Sequence, residues 1–129
     1  MATLLVIHGF NSSGDTDKAA FLRSQLGGFE VTSPTYSHDP DRAVADLEHR
    51  IVAQTSRHKS LALLGTSLGA YYARYLGRRH WLPIVLLNPA LDPVSTLRPA
   101  LGQNRNFKTG ERYTFSESHL TALERYACE

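Results

Sequence analysis

The apolar and polar positions of the chain alternate between short β-favouring runs and longer segments with helical spacing. Four apolar runs, at 3–7, 30–32, 61–64 and 83–87, indicate strands. In the other segments apolar residues recur three and four positions apart, which predicts amphipathic helices near 16–26, 40–57, 68–79, 93–101 and 120–127. The alternation predicts an α/β fold, a three-layer sandwich of about four parallel strands with helices on both faces.

Local signals mark the ends of these elements. Asp15 or Thr16 can cap the first helix, and Asp39-Pro40 supplies a capping side chain followed by a residue fixed at helical φ. Residues 102–106 predict an irregular stretch, and the segment after Asn104 is polar and then helical in character. Because no repeat or linker divides the chain, we expect one α/β-hydrolase-like domain over residues 1–129.

Composition and charge narrow the possible partners and cofactors. The chain has 14 Lys and Arg against 12 Asp and Glu, and the basic residues are dispersed, so we expect no nucleic-acid partner. No apolar run approaches the ~20 residues that span a bilayer, and nothing resembles a secretory signal, so we expect a cytoplasmic protein without a membrane partner. Cys128 is the only cysteine and no histidine pair has i, i+4 spacing on one helix, so we predict no metal site and no cofactor.

One motif carries specific chemistry. Gly65-Thr66-Ser67-Leu68-Gly69 is a G-x-S-x-G placed directly after a predicted strand and before a predicted helix. So sharp a turn strains the serine backbone and brings other backbone close, which requires residues without a Cβ on either side. We predict a nucleophile elbow that presents the Ser67 hydroxyl at the tip of the sheet. The competing interpretation is a tight turn with no chemical role.

A second polar loop, His8-Gly9-Phe10 followed by Asn11-Ser12-Ser13, ends the first strand. Acyl transfer needs two backbone N–H donors, one from the residue after the nucleophile and one from a loop on a neighbouring strand. Leu68 and Phe10 fit these two positions, so we predict that they form the oxyanion hole. For His8 we expect a structural rather than a catalytic role, as a buried or half-buried histidine that hydrogen-bonds to the loop backbone.

Both loops, together with Tyr71-Tyr72-Ala73, Asn88-Pro89-Ala90 and Leu101-Gly102-Gln103-Asn104, resemble the YqiA-type esterases of the α/β-hydrolase superfamily in order and spacing. The resemblance implies a serine carboxylester hydrolase that acts on short acyl esters or thioesters, with Ser67 as nucleophile and the Phe10 and Leu68 amides as oxyanion hole. It also implies that the family's triad acid and histidine belong to strands that would follow Glu129, so we expect a truncated α/β-hydrolase fold.

Residues inside the chain are the alternative source of an acid and a base. Chain order in this fold runs serine, acid, histidine, and Asp92 and His119 satisfy that order. The competing interpretation is that Asp92 caps a helix before Pro93 and that His119 lies in the first turn of the last helix. His38, in a loop opposite the predicted site, is a further candidate.

The strand between Pro83 and Leu87 has no clear neighbour later in the sequence. An open sheet edge is a template for association, so we expect a homo-oligomer through this edge, which could also bring a histidine to Ser67 from the partner. Two other functions stay open. One is a catalytically impaired or inactive binding or assembly module that keeps the elbow as inherited structure. The other is a phosphate-binding turn at residues 65–69.

Overall fold

A four-stranded parallel sheet, in the order β2-β1-β3-β4, forms the centre of the protein. The computed structural model describes residues 2–128, so that Met1 and Glu129, the two ends of the predicted domain, lie outside the described residues. In chain order the elements are β1 (Ala2–Ile7), α1 (Asp17–Gln25), β2 (Phe29–Thr32), α2 (Pro40–Thr55), β3 (Leu61–Thr66), α3 (Leu68–His80), β4 (Ile84–Leu87), α4 (Pro93–Leu97), β5 (Gly102–Arg105), β6 (Arg112–Phe115) and α5 (Glu117–Glu124).

Side chains alternate between the two faces of the sheet, and helices cover both faces. On one face the core joins the strands to α2, α3, β6 and α5, and it includes Leu5, Ile7, Leu63, Leu47, Ile51, Tyr72, Leu76, Phe115, Leu120 and Leu123. On the other face Leu4, Val6 and Leu64 pack against Leu22 and Leu26, at and just beyond α1. The predicted three-layer α/β architecture is therefore confirmed.

Helix ends follow the local signals closely. Thr16 caps α1 by accepting a hydrogen bond from the Ala19 N–H at 3.2 Å, and Asp39 caps α2 through the Asp41 N–H at 3.0 Å. The single helix predicted over 93–101 is wrong, because α4 ends at Leu97 and a 3₁₀ turn, Arg98–Ala100, follows. Pro99 explains the change, since it has no N–H with which to continue the α-helical hydrogen bonds.

The irregular stretch predicted at 102–106 is also wrong. β5 and β6 form an antiparallel hairpin, with Asn104 opposite Tyr113 and Arg105 opposite Arg112. Asn106 organises the loop between the strands, because its Oδ1 accepts from the N–H groups of Lys108 and Thr109 at 2.8 Å each. Gly110, at φ 77°, supplies the left-handed backbone that this loop requires.

The edge of the sheet at β4 is open in the described part of the chain. β4 pairs with β3 on one side, and no strand of residues 2–128 pairs with its other side. Val85 is 49% exposed and Leu87 37% exposed. The open edge that the sequence predicted is present, whereas the oligomer expected to form through it stays a prediction. Among residues 2–128, no helix combines the length and apolar character needed to cross a membrane.

Candidate active site

Ser67 stands exposed at a strained corner between β3 and α3. Its backbone has φ 54° and ψ −116°, a conformation that costs a non-glycine residue about 1–3 kcal/mol. The flanking glycines make the corner possible. A Cβ at Gly65 would lie 2.4 Å from the Gly69 carbonyl oxygen, and a Cβ at Gly69 would lie 2.0 Å from the Ile7 carbonyl oxygen. Neither position can hold a larger residue without moving backbone.

Backbone hydrogen bonds from the β4 end hold Ser67 in this conformation. Its N–H donates to the Leu87 carbonyl at 3.0 Å, and its carbonyl accepts from the Ala90 N–H at 3.0 Å. The same carbonyl accepts from the Ala70 N–H at 3.1 Å, which begins α3. The strained geometry is therefore fixed by the strand, the following loop and the helix together.

The loop after β1 lies directly against Ser67. A Cβ at Gly9 would be 3.5 Å from Ser67 Cβ and 3.9 Å from Ser67 Oγ. The next residue is Phe10, and within residues 2–128 neither the Phe10 N–H nor the Leu68 N–H has a hydrogen-bond acceptor. Phe10 and Leu68 also line the same cavity, of about 410 Å³. Two amides without acceptors near an exposed serine are one requirement of an oxyanion hole.

His8 fixes the orientation of the loop rather than acting as a base. Its Nε2 accepts from the Tyr36 N–H at 3.3 Å, so the ring proton is assigned to Nδ1, which donates to the Gly9 carbonyl at 2.7 Å. The Gly9 carbonyl and the Phe10 N–H belong to one planar trans peptide and point in opposite directions. Holding the carbonyl thus aims the Phe10 N–H.

Burial keeps His8 neutral. Its side chain stacks on Tyr36 at a centroid distance of 4.1 Å, and the residue is 6% exposed. Desolvation lowers the pKa of His8 below 6.5, against the opposing effect of its bond to the Gly9 carbonyl. Both ring nitrogens are engaged, so His8 has the structural role that the sequence predicted.

His38 lines the cavity together with Phe10 and Leu68. Its Nδ1 lies 3.7 Å from a Glu111 carboxylate oxygen, and its ring stacks on Tyr113 at 4.2 Å. Desolvation, and then the neighbouring His119, lower the pKa of His38, while Glu111 opposes the shift. The imidazole is therefore neutral near pH 7, the state in which it can accept a proton.

The structure does not join Asp92 to His119. The Asp92 side chain caps α4 by accepting from the Ser95 N–H at 3.3 Å, and its carbonyl accepts from the Thr96 hydroxyl at 2.6 Å. His119 lies in a capping box, where its Nδ1 accepts from the Ser116 N–H at 3.0 Å. These contacts match the helix-cap interpretation, and the assignment of the pair as acid and base stays a prediction.

Within residues 2–128, no histidine or carboxylate is hydrogen-bonded to the Ser67 hydroxyl. In the same residues, no cluster of three or more His, Cys, Asp or Glu could hold a metal ion.

The contacts of His38 could not be predicted from the sequence. The β5–β6 hairpin brings Glu111 and Tyr113 against its ring. The only sequence signal for this was Tyr113-Thr114-Phe115, where β-favouring aromatics alternate.

The four-stranded parallel sheet and the strained serine between β3 and α3 define an α/β-hydrolase fold. Solved structures share it. A bacterial heroin esterase is 19% identical, with 98% of this chain and 45% of that chain covered and a TM-score of 0.55. Phospholipase PlaB from Legionella pneumophila is 13% identical, with 98% and 35% covered and a TM-score of 0.57. An extracellular α/β-hydrolase from a Paenibacillus species is 19% identical, with 69% and 41% covered and a TM-score of 0.53. This chain thus spans less than half the length of each.

Residues 3–127 match UPF0227, an uncharacterised protein family, and the chain belongs to that family. This confirms the resemblance to the YqiA-type proteins. UPF0227 proteins from two Shewanella strains, MR-7 and ANA-3, are each 23% identical over 130 residues. Each match covers 97% of this chain and 72% of the relative.

Proposed function

We propose that the protein is a serine carboxylester hydrolase that acts on short acyl esters or thioesters through an acyl-serine intermediate at Ser67. The observation that carries this proposal is the Ser67 corner. An exposed serine with φ 54° is held between two glycines that cannot carry a Cβ, beside two amides without acceptors. Backbone strain at an exposed polar residue is typical of functional sites.

The chemistry that fits this corner is acyl transfer. Ser67 Oγ attacks the substrate carbonyl carbon, its proton passes to a general base, and the carbonyl oxygen becomes an oxyanion that the Phe10 and Leu68 N–H groups stabilise. As the tetrahedral intermediate collapses, the base gives the proton to the leaving oxygen or sulfur, which expels the alcohol or thiol and leaves the acyl group on Ser67. Water then attacks the acyl-serine and releases the acid. The names of two structural neighbours, an esterase and a phospholipase, agree with this class of reaction.

The cavity beside Ser67 is consistent with a short acyl substrate, because its lining includes Gly9, which lies against that serine. It is about 410 Å³ and is bounded by the loop after β1, by residues 35–38 and by the β5–β6 hairpin. Its apolar lining includes Phe10, Leu68 and Tyr72, and its polar lining includes Ser37 and Asn106. Pockets with an apolar wall and a few polar groups are typical of small-molecule sites.

For the general base we propose His38, with His119 as the alternative that the sequence predicted together with Asp92. His38 lines the cavity that holds both oxyanion amides, and Glu111 lies on its Nδ1 side. Catalytic hydrogen bonds are often long before substrate binds, so the lack of a contact with Ser67 does not exclude it. His38→Gln and His119→Gln, each assayed over pH 5–9, separate the two, because only loss of the true base removes the acid-side inflection from the pH profile of kcat/KM.

Hydrolysis of a p-nitrophenyl acyl ester series and of an acyl thioester tests the proposal. Wild type should turn over the shorter chains, and Ser67→Ala should reduce kcat/KM to no more than the about 10³–10⁴ over the uncatalysed rate that the oxyanion hole alone provides. Ser24→Ala, at an exposed serine on α1, is the matched control and should retain full activity. Equal rates for wild type and Ser67→Ala would exclude an acyl-serine mechanism.

The second candidate function is a binding or assembly module with an impaired site. It is favoured by one observation, that no group of residues 2–128 hydrogen-bonds to the Ser67 hydroxyl. An oxyanion hole without a working base still gives about 10³–10⁴ over the uncatalysed rate. A rate on this floor that does not change between pH 5 and pH 8 would support the module.

A further inference from the structure

Asn11 follows the oxyanion residue Phe10 and has an unusual backbone. Its φ is 58°, in the left-handed region that asparagine tolerates better than other non-glycine residues. This conformation turns the chain sharply after Phe10. Such a geometry persists only where the surroundings hold it in place.

The β5–β6 hairpin provides that support. The Asn11 Oδ1 accepts from the Tyr113 hydroxyl, and its Nδ2 donates to Asn104 Oδ1 at 3.2 Å. The Asn11 carbonyl accepts from the Phe107 N–H at 3.0 Å. Three separate groups of the hairpin thus bind one asparagine.

The contact between the two asparagines has a defined direction. Asn104 Nδ2 donates to the Ala100 carbonyl at 2.6 Å, so its Oδ1 is the atom that faces Asn11. The Asn11 side-chain amide therefore presents Nδ2 to Asn104 and Oδ1 to Tyr113, and the opposite orientation would place two oxygens against each other. A side chain with both a donor and an acceptor is needed at this position.

Phe10 is in this way held from both sides. On the near side, the Gly9 carbonyl accepts from His8 Nδ1 at 2.7 Å and from the Ser12 N–H at 3.3 Å. On the far side, Asn11 is bound to the hairpin. The Phe10 ring packs edge-on against the ring of Phe115 in β6, with 5.1 Å between the ring centroids. Phe10 therefore also contacts the hairpin directly.

We infer that Asn11 is a positioning residue, which sets the Phe10 N–H of the oxyanion hole by anchoring it to the β5–β6 hairpin. The inference rests on the proposed function, because it assigns a role in stabilising the oxyanion that Ser67 would generate. Asn11 acts through Phe10 and takes no part in proton transfer. Its removal should leave substrate binding intact and weaken the transition state.

Two variants test the inference on ester hydrolysis. Asn11→Gly removes the side-chain anchors but tolerates φ 58°. Asn104→Ala removes the acceptor of the Asn11 Nδ2 hydrogen bond, and Asn104 itself does not line the cavity. Loss of an oxyanion donor costs about 10²–10³ in kcat, so we expect kcat to fall about 100-fold for Asn11→Gly. We expect about a 10-fold fall for Asn104→Ala, which leaves the Tyr113 contact in place.

The control is Thr114→Val, which removes the Gln103–Thr114 side-chain hydrogen bond of 3.0 Å on the exposed side of the same hairpin. This variant should keep wild-type kcat. The KM of all three variants should stay near the wild-type value. The Asn11→Gly, Asn104→Ala double variant should be no slower than Asn11→Gly alone, because the Asn11–Asn104 contact is already lost in Asn11→Gly.

The outcomes separate the inference from the proposed function. If wild type is active and Asn11→Gly raises KM with unchanged kcat, or leaves both unchanged while the protein is folded, the positioning role is wrong and the esterase proposal stands. If Thr114→Val lowers kcat as much as Asn104→Ala, the effect is general hairpin stability and the inference is also wrong. If wild type does not hydrolyse esters, the proposed function itself fails.

Discussion

Single residues decide whether the Ser67 corner forms. Gly65 and Gly69 are required because backbone from the corner and from the end of β1 occupies the space of a Cβ. His8 adds to this local arrangement by fixing the Gly9 carbonyl in the loop after β1. Ser67 adds to it by adopting a conformation that a hydrogen bond to β4 holds. The backbone strain at Ser67 thus costs free energy locally, and the contacts of the neighbouring residues offset that cost.

Alanine at either corner glycine should disrupt the fold. A Cβ at 2.0–2.4 Å from carbonyl oxygens forces the backbone apart, so Gly65→Ala and Gly69→Ala should each lower the free energy of unfolding by about 3 kcal/mol or more. Gly27→Ala is the matched control, because no atom lies within 4 Å of its Cβ position. That variant should be neutral or stabilised by up to about 1 kcal/mol. Urea unfolding of the three variants checks this, and equal effects would contradict the geometry.

His8 should make stability depend on pH in the acid range. Its pKa is lower in the folded protein than the 6.5 of an unfolded chain, so its contribution is present above about pH 6.5 and is lost as pH falls through the folded pKa. Protonation also places an N–H against the Tyr36 N–H. Between pH 7.5 and pH 5, wild type should lose more free energy of unfolding than His8→Gln, whose amide can replace both hydrogen bonds. An identical loss in both proteins would count against the neutral, buried His8.

How far the site can be predicted from sequence follows from how local each contact is. Ser67, Gly65 and Gly69 lie within five consecutive residues, so their motif reports the corner directly. Asn11 depends on Asn104 and Tyr113, which are 93 and 102 residues away. No periodicity or motif reports such pairs. The contacts that anchor the loop after β1 can therefore be seen only in the tertiary structure.

Among the elements, the β5–β6 hairpin differs most from what the sequence predicted. Its first strand, Gly-Gln-Asn-Arg, is polar and mostly exposed, so neither alternation nor apolar content distinguishes it from a loop. The longer helices α2 and α3 and the central strands β1 and β3 were predictable because each buries apolar side chains in the core. The hairpin instead gains order from the turn at Asn106 and from one deeply buried residue, Phe115.

Two phenylalanines of the hairpin region should differ sharply in their contribution to stability. Phe115 is 1% exposed and packs with Phe10 and His119, whereas Phe107, in the loop, is 85% exposed. Phe115→Ala should lower the free energy of unfolding by about 3–5 kcal/mol. Phe107→Ala should change it by less than about 0.5 kcal/mol. Similar values for the two, measured by urea unfolding, would show that the hairpin is not anchored in the core.

At the scale of the whole molecule, the open edge at β4 is the main surface for association in the described part of the chain. Exposed Val85 and Leu87 lie on this strand, and Leu91 beyond it is 68% exposed. Unpaired backbone groups beside apolar side chains favour association, so we propose a homo-oligomer through this edge. The partner would cover the edge and shield these side chains from water.

A matched pair of substitutions tests this surface. Val85 on β4 and Val52 on α2 are both 49% exposed, so Val85→Lys and Val52→Lys add the same charge at equal exposure. We expect Val85→Lys to shift the protein to monomer in light scattering across a dilution series, while Val52→Lys retains the wild-type oligomer. A wild-type protein that is monomeric at all concentrations would contradict the proposal.

The most direct test of the central claim is the site of covalent labelling by a fluorophosphonate, which phosphonylates activated serines and places an oxygen where the oxyanion would form. Intact-mass measurement should show one adduct on wild type, peptide mapping should place it on Ser67, and Ser67→Ala should take up none. A folded wild-type protein that remains unlabelled would contradict the assignment of Ser67 as the nucleophile. Equal labelling of wild type and Ser67→Ala at another serine would contradict it as well.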